Sequence, residues 1–231
     1  MRIVTGLLAA TAGLVVLAAG PAHAAVRDFP ARGFDKVELS GAADVTILTG
    51  RNFSVHADGD QAMLDRMTAD VRGGTLVVGW RSGGWFQNRD RHVHVTITMP
   101  RISGVARSGA GDMTVDRVQA PDFTANISGA GSVRLPAVRS GHVSLTLSGA
   151  GDIEIAGIAG QVDGTISGVG TLDATRLIAS AGRFKLSGTG NVRATVNGPA
   201  DVSLSGIGEA VIGGRPQCTV HKSGLGSVRC G

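Results

Sequence analysis

The sequence predicts an all-β protein built as a parallel β-solenoid with coils of about 18–20 residues. The main observation is a Ser-Gly-x-Gly tetrapeptide that recurs seven times in the C-terminal half, and after each copy apolar and polar residues alternate. A fixed period of this length is typical of a chain in which each repeat stacks as one coil on the last. The copies begin 18 to 20 residues apart, at Ser108, Ser128, Ser148, Ser167, Ser187, Ser205 and Ser223.

Each repeat also predicts two short strands. The fifth and seventh residues after the serine are mostly apolar with a residue between them that is mostly polar, as in Ile153, Glu154 and Ile155. Apolar residues also stand one and three positions before the serine, as in Leu147 and Leu145. Because side chains alternate between the two faces of a strand, these columns share one inward face.

The tetrapeptide itself is predicted to form the corner between the two strands. Glycine allows conformations and close backbone approaches that other residues resist. The serine hydroxyl can bond to nearby backbone groups. We therefore interpret the motif as structural, with corners at Ser108, Gly109, Gly111, Ser128, Gly129, Gly131, Ser148, Gly149 and Gly151.

The chain before the repeats predicts wider, irregular coils. An imperfect copy of the motif begins at Ser40, and the 68 residues to Ser108 are not a whole number of 20-residue coils. A short helix is predicted at 60–67, with Asp60 as its N-cap, and strands are predicted at 36–39, 44–48, 53–57, 71–80 and 92–99. We divide the mature chain into an irregular N-terminal β lobe at 25–100 and a regular solenoid at 101–231 that is continuous with it.

Residues 1–24 predict a secretory signal peptide. Arg2 precedes an apolar stretch at 3–19, and Ala22-His23-Ala24 has the small-residue pattern of a cleavage site. An uncleaved span of about 17 apolar residues is the alternative. Cleavage predicts a periplasmic, secreted or cell-envelope protein that is not transmembrane, and export favours a disulfide between the two cysteines, Cys218 and Cys230.

Two charged residues interrupt an otherwise apolar column. Lys222 and Arg107 occupy the position of Ile127 and Leu147, immediately before a serine of the motif. A charge is acceptable there where the stack meets water, so we expect both residues to lie at open ends of the regular stack and to protect those ends from edge pairing.

The composition argues against several functions. The formal net charge is +4 with scattered basic residues, there is no Tyr, and aromatic residues make up 3% of the chain. This pattern does not predict nucleic-acid binding. The sequence carries no nucleophile, zinc-protease or phosphate-loop motif. We therefore predict a protein that is not an enzyme and has no cofactor, catalytic residue or metal site.

The coils resemble a known bacterial family, the putative autotransporter adhesins with a head GIN domain. The resemblance extends over about 34–228 and is carried by Leu39-Ser40-Gly41 with Asp44-Val45, by the segment 74–78 and by the seven tetrapeptides. It implies a right-handed parallel β-helix-like fold and a place in the cell envelope. The family has no agreed activity.

The most distinctive candidate site is the loop that interrupts the coils. Its two rings stand among arginines and glycines, which is a composition suited to contact a glycan, peptide or lipid headgroup. The alternative is a hairpin whose rings fold back over the edge of the lobe. The candidate ligand-binding residues are Arg81, Trp85, Phe86, Arg89 and Arg91.

Other candidate sites are weaker. Asp112 and Asp152 lie two coils apart, about 10 Å by strand spacing, so a glycan-cleaving carboxylate pair stays an alternative. The Gly-Asp corners are similar to calcium repeats, but aspartate does not recur at every coil. His92 and His94 could bind a metal with His56, although an outward polar face is the commoner explanation.

The preferred function is therefore a non-enzymatic, exported cell-envelope β-solenoid. It would act as a binding or adhesion-like module, or as a structural module, with an envelope protein or a glycan as its partner. A polysaccharide-acting lyase or hydrolase is the alternative from another class. A third possibility is self-association, end to end or along an edge, because a stack of coils with weak caps can extend.

Overall fold

The structure, a computed structural model, describes residues 25–81 and 93–231. These residues form one 18-stranded sheet and one short helix. The first ten strands are β1 (Ala25–Phe29), β2 (Lys36–Leu39), β3 (Asp44–Thr49), β4 (Ser54–Gly59), β5 (Met67–Arg72), β6 (Thr75–Trp80), β7 (Val93–Met99), β8 (Gly104–Arg107), β9 (Met113–Val115) and β10 (Val118–Ile127). The others are β11 (Val133–Leu147), β12 (Ala150–Ile166), β13 (Val169–Leu186), β14 (Thr189–Val196), β15 (Pro199–Leu204), β16 (Ile207–Gly214), β17 (Gln217–Lys222) and β18 (Leu225–Cys230).

The strands form two parallel stacks joined by the corners. The first stack runs through β6, β2, β8 and β10, the second halves of β11 to β13, and then β15 and β17. The second stack runs through β7, β3 and β9, the first halves of β11 to β13, and then β14, β16 and β18. The all-β solenoid class is confirmed, with about six turns.

The core lies between the two stacks and follows the predicted columns. Val133, Ile153 and Leu172 lie directly opposite one another in register, and all three are buried. In the first stack, Leu147 and Ile166 form a similar buried column. The period-two pattern therefore places the apolar residues of successive coils in contact, which is how a solenoid buries a surface that no single coil can bury.

The N-terminal part departs from the order of the chain. Strand β2 pairs with both β6 and β8, and β3 pairs with both β7 and β9. The coil around Ser40 therefore stacks directly on the coil of Ser108. The irregular part consists of the antiparallel pairs β1–β4, β4–β7 and β5–β6 and of helix α1 (Gln61–Leu64). The side chain of Asp60 caps this helix by accepting a hydrogen bond from the N–H of Met63 at 3.2 Å.

Arg107 is not at an open end, so that prediction is wrong. Strand β8 has β2 on one side and β10 on the other, and Arg107 lies buried between Leu39 and Ile127 with 2% of its surface exposed. The reason is the stacking order, because the coil of Ser40 covers the coil of Ser108. Lys222 lies in β17 and is exposed, as predicted.

The guanidinium of Arg107 replaces a backbone interaction between coils. The carbonyls of Ala110 and Ala150 accept hydrogen bonds from backbone N–H groups of the preceding coil at 3.2 and 3.0 Å. The carbonyl of Ala130 instead accepts one from Nη2 of Arg107. Nε and Nη1 of Arg107 have no hydrogen-bond partner among the described residues. Burial lowers the pKa of Arg107, and the nearby charges of Asp112 and Asp44 oppose that effect.

The C-terminal coil is closed by the predicted disulfide. The sulfur atoms of Cys218 in β17 and Cys230 in β18 lie at bonding distance, 2.09 Å. The pairing is therefore confirmed, and the bond joins the last strands of the two stacks. No helix within residues 25–81 and 93–231 is long and apolar enough to cross a membrane.

Candidate functional site

The glycines of the corners lie where neighbouring coils approach most closely. A Cβ atom at Gly149 would overlap the carbonyl oxygen of Gly129 in the coil before it. Gly149 does not have a positive φ, so its requirement for glycine is steric and does not come from a strained backbone. At the fourth position of the motif both reasons apply, because Gly131 has a φ of 118° and a Cβ there would also overlap Gly111. These residues let neighbouring coils pack closely at the corner.

The carboxylates that follow the corners form a ladder between coils. Asp44 accepts a hydrogen bond from the N–H of Asp112 at 2.8 Å, and Asp112 accepts one from the N–H of Ser132 at 2.9 Å. Asp152 accepts one from the N–H of Thr171 at 2.9 Å. Each carboxylate therefore satisfies a backbone donor of the next coil. This structural role explains why small hydrogen-bonding residues recur at the position that follows each corner.

The acidic residues beside this ladder are balanced by arginines. Arg134 lies 3.9 Å from Asp112 and 3.6 Å from Glu154, and Arg176 also pairs with Glu154. The depression around Asp152 has a volume of about 280 Å³, and its lining includes Arg134, Glu154 and Asp173. Both aspartates of the proposed glycan-cleaving pair thus have structural roles: Asp112 pairs with Arg134, and Asp152 accepts the backbone hydrogen bond from Thr171.

Two histidines of the metal alternative bind other groups. His56 Nδ1 lies 2.7 Å from Asp28, and His94 Nε2 lies 3.2 Å from the hydroxyl of Thr46. His92 lies outside the described residues. Within the described ranges, no group of three His, Cys, Asp or Glu side chains is placed to hold a metal ion.

The predicted loop site falls almost wholly outside the described ranges. Arg81 is exposed, and its backbone N–H donates to the carbonyl of Arg66 at 3.0 Å. Trp85, Phe86, Arg89 and Arg91 lie outside the described residues. Ligand binding by this loop stays a prediction.

A cluster of polar side chains on the outward face of the first stack surrounds His142. His142 Nε2 lies 2.8 Å from Asp163, and Gln161 donates to the same carboxylate at 3.0 Å. Burial acts to raise the pKa of Asp163, but the hydrogen bonds from His142 and Gln161 and the charges of His142 and Arg183 lower it on balance. Asp122 lies 3.9 Å from the other ring nitrogen of His142. The cluster ties three neighbouring coils together.

The surface best suited to bind a partner is the edge opposite the glycine corners. Four arginines lie there on four successive layers of the second stack. Three of them follow the C-terminal ends of β7, β3 and β9, and the fourth lies within β11. We call this surface the arginine edge. Its arginines are Arg101, Arg51, Arg117 and Arg139, in the order of the stack.

The arginine edge contains two adjoining grooves. One has a volume of about 370 Å³ and is lined by Arg51, Arg101 and Arg117 together with Thr49 and Pro100. The other has a volume of about 340 Å³ and shares Arg117 with the first. Apart from Arg117, Gln119 and Arg139, the second groove is apolar, with walls formed by Val118, Pro136, Ala137, Val138, Gly157 and Ile158.

The charges of the arginine edge are not compensated. All four arginines are exposed, and none has an ion-pair partner within the described ranges. Asp116 is the acidic residue at this edge, and its carboxylate accepts hydrogen bonds from the N–H and the hydroxyl of Thr49 at 2.9 and 3.2 Å. Arg134 and Arg229, in contrast, pair with Glu154 and Glu209. Arg176, which shares the register column of Arg117 three coils further along, also pairs with Glu154.

Sequence reasoning missed the arginine edge for two reasons. Arg51 and Arg101 join it only because the coil of Ser40 stacks on that of Ser108. In addition, the register shifts between Leu135 and Val138, so alignment at a fixed period does not show that the arginines share one edge. The available signal was an arginine a few residues beyond the second apolar position of the repeat in two successive coils, at Arg117 and Arg139.

The sequence model of one family, described as putative auto-transporter adhesin, head GIN domain, matches residues 33–216. No curated protein matches the chain. A putative adhesin from Bacteroides fragilis has a similar structure, with a TM-score of 0.84 and 18% sequence identity over 90% of this chain and 97% of that one.

Two structures from Parabacteroides are also similar. A putative lipid binding protein from Parabacteroides distasonis has a TM-score of 0.69 and 15% identity over 92% of this chain and 98% of its own. A putative adhesin from Parabacteroides merdae has a TM-score of 0.65 and 15% identity over the same shares. At these identities, the likeness shows a shared fold.

Proposed function

Because this chain belongs to the family of putative auto-transporter adhesins with a head GIN domain, we propose that it is a non-enzymatic binding module of the cell envelope. In this proposal, the arginine edge holds an anionic partner. The observation that carries the proposal is the set of four exposed arginines without ion-pair partners among the described residues, on four successive layers of one rigid edge.

The spacing of the layers supports an extended anionic partner. Neighbouring parallel strands lie about 4.8 Å apart, so four layers place four positive charges along about 14 Å. Guanidinium groups are well suited to carboxylate and phosphate because their donors match two oxygens at once. The coils are hydrogen-bonded along both stacks, so this array needs little ordering before it binds.

The roles of the other polar groups support binding over catalysis. The aspartates of the corners each accept a backbone hydrogen bond from the next coil, as at Asp112 and Asp152. Glu154 is paired with two arginines. The acidic residues with the best position for hydrolysis therefore already have structural partners.

Export is part of the same proposal. The predicted signal peptide at 1–24 and the bond between Cys218 and Cys230 both suit an oxidising compartment outside the cytosol. A periplasmic or surface location would bring the arginine edge close to anionic envelope polymers and lipids.

The test measures binding of fluorescein-labelled dextran sulfate by fluorescence anisotropy at low and high salt. A variant with Arg51, Arg101, Arg117 and Arg139 changed to Ser should bind at least roughly tenfold more weakly than the wild-type protein. The matched control loses the same charge on other exposed positions, by changing Arg183, Lys185, Arg193 and Lys222 to Ser. An equal loss in both variants would mean that net charge, and not the arginine edge, determines binding.

A further inference from the structure

The arginine edge continues into an exposed apolar strip. Ile158 and Ile178 lie directly opposite each other on neighbouring coils, and 52% of the surface of each is exposed. Ile158 is also the register partner of Arg139. The arginines and the isoleucines thus lie along one continuous edge. The arginines without ion-pair partners among the described residues are at one end, and the isoleucines are at the other, where Arg176 is paired with Glu154.

We propose that this edge docks the protein on an anionic lipid bilayer, with Ile158 and Ile178 inserted among the acyl chains and the arginines on the headgroups. This inference rests on the proposed function, because it names the anionic partner. The solenoid axis would lie along the membrane surface, since both groups follow that axis.

The chemistry of the edge favours lipid over an acidic glycan. Exposed isoleucines offer a glycan no hydrogen bond and no ring for stacking, and the residues that line the two grooves include no aromatic side chain. Apolar side chains bordered by basic ones are the combination that holds proteins at a membrane interface. The apolar side chains give binding that resists salt, whereas the arginines give binding that salt weakens.

Exposed apolar residues also occur elsewhere on the solenoid, so exposure alone does not distinguish the strip formed by Ile158 and Ile178. Val169 and Ile207 are similarly exposed on the glycine corner, at 58% and 55%, with Thr189 between them in register. Ile207 also lies opposite Leu225, which is 79% exposed, so the corner carries an apolar pair of its own. The lining of the apolar groove next to Ile158 also includes Pro136, Ala137 and two arginines, which the glycine corner lacks. The chain therefore provides a matched control surface of the same hydrophobicity.

The test measures co-sedimentation with vesicles of phosphatidylcholine, alone or mixed with phosphatidylglycerol. The wild-type protein should bind the mixed vesicles, and high salt should weaken this binding without abolishing it. The variant with Ile158→Asn and Ile178→Asn should lose at least roughly tenfold in partitioning. The control variant with Val169→Asn and Ile207→Asn should bind like the wild-type protein.

The outcomes separate this inference from the proposed function. If the isoleucine variant binds dextran sulfate normally but loses the vesicles, both proposals are supported. If dextran sulfate binding maps to the arginine edge but vesicles are not bound, or are bound equally by the isoleucine variant, the lipid inference fails and the proposed function stands. If neither probe depends on the edge, both fail. If the variant with Ile158→Asn and Ile178→Asn does not fold, the variant with the β-branched substitutions Ile158→Thr and Ile178→Thr replaces it.

Discussion

The carboxylate of Asp44 accepts a hydrogen bond from the backbone N–H of Asp112 at 2.8 Å, across 68 residues of sequence. This bond belongs to the same ladder as those donated by the N–H of Ser132 to Asp112 and by the N–H of Thr171 to Asp152. The imperfect first copy of the motif is therefore a full member of the stack. The recurrence of aspartate near the corners reflects the joining of coils and not a repeated binding site.

Removal of one ladder carboxylate should destabilise the protein modestly. Asp152→Ala should lower the free energy of unfolding by about 1 kcal/mol, because the N–H of Thr171 loses its acceptor. Asp152→Asn should be close to the wild-type protein, since Asn191 accepts a similar bond from the N–H of Glu209 in the same column. Chemical denaturation measures both. A large loss in the asparagine variant would show that charge matters more than the hydrogen bond.

The first glycine of the motif should not tolerate a side chain. Gly149→Ala should lower the free energy of unfolding by more than about 2 kcal/mol, because the added Cβ would overlap the carbonyl of Gly129 and force the coils apart. The control is Gly213→Ala, where the nearest atom to an added Cβ would lie 3.9 Å away. Thermal melting compares the two variants, and similar melting temperatures would contradict the steric account.

The buried Arg107 should be replaceable by an apolar residue. Arg107→Met should raise the free energy of unfolding by about 1 kcal/mol, because it removes a buried guanidinium between Leu39 and Ile127 whose Nε and Nη1 have no hydrogen-bond partner among the described residues. It also frees the carbonyl of Ala130 for a backbone bond of the kind made by Ala150. Arg107→Ala should instead destabilise, because it leaves a cavity. Denaturation in urea tests both, and a methionine variant less stable than the wild-type protein would refute this view.

The cluster around His142 should contribute to stability that depends on pH. The pKa of Asp163 is lower in the folded protein than its ordinary value of 3.8, so the unfolded chain binds this proton more readily. The contribution is complete above the ordinary value and is lost as the pH falls through the lowered one. Asp163→Asn should therefore flatten the fall in unfolding free energy below about pH 4. Identical acid profiles for the two proteins would contradict this assignment.

The sequence predicts the features that recur from coil to coil, but it predicts few of the contacts between residues that are distant in the chain. The columns of Val133, Ile153 and Leu172 and the pairing of Cys218 with Cys230 follow from alternation and spacing, because these depend on neighbouring coils of constant length. These features required no knowledge of the order in which the N-terminal strands stack.

The burial of Arg107 and the arginine edge could not be predicted in the same way. Both depend on the insertion of β2 and β3 between strands that come later in the chain. No periodicity records that order, because the segment between Thr49 and Val93 contains antiparallel strands and a helix. The edge also depends on the register shift after Leu135, which a fixed period hides.

The most direct test of the proposed function is an arginine footprint of the unmodified protein. Phenylglyoxal modifies accessible guanidinium groups, and mass spectrometry measures the modification of each arginine with and without dextran sulfate. The account predicts protection of Arg51, Arg101, Arg117 and Arg139, while Arg183 and Arg193 keep their reactivity. Equal protection of all exposed arginines, or protection confined to Arg89 and Arg91 of the predicted loop, would contradict it.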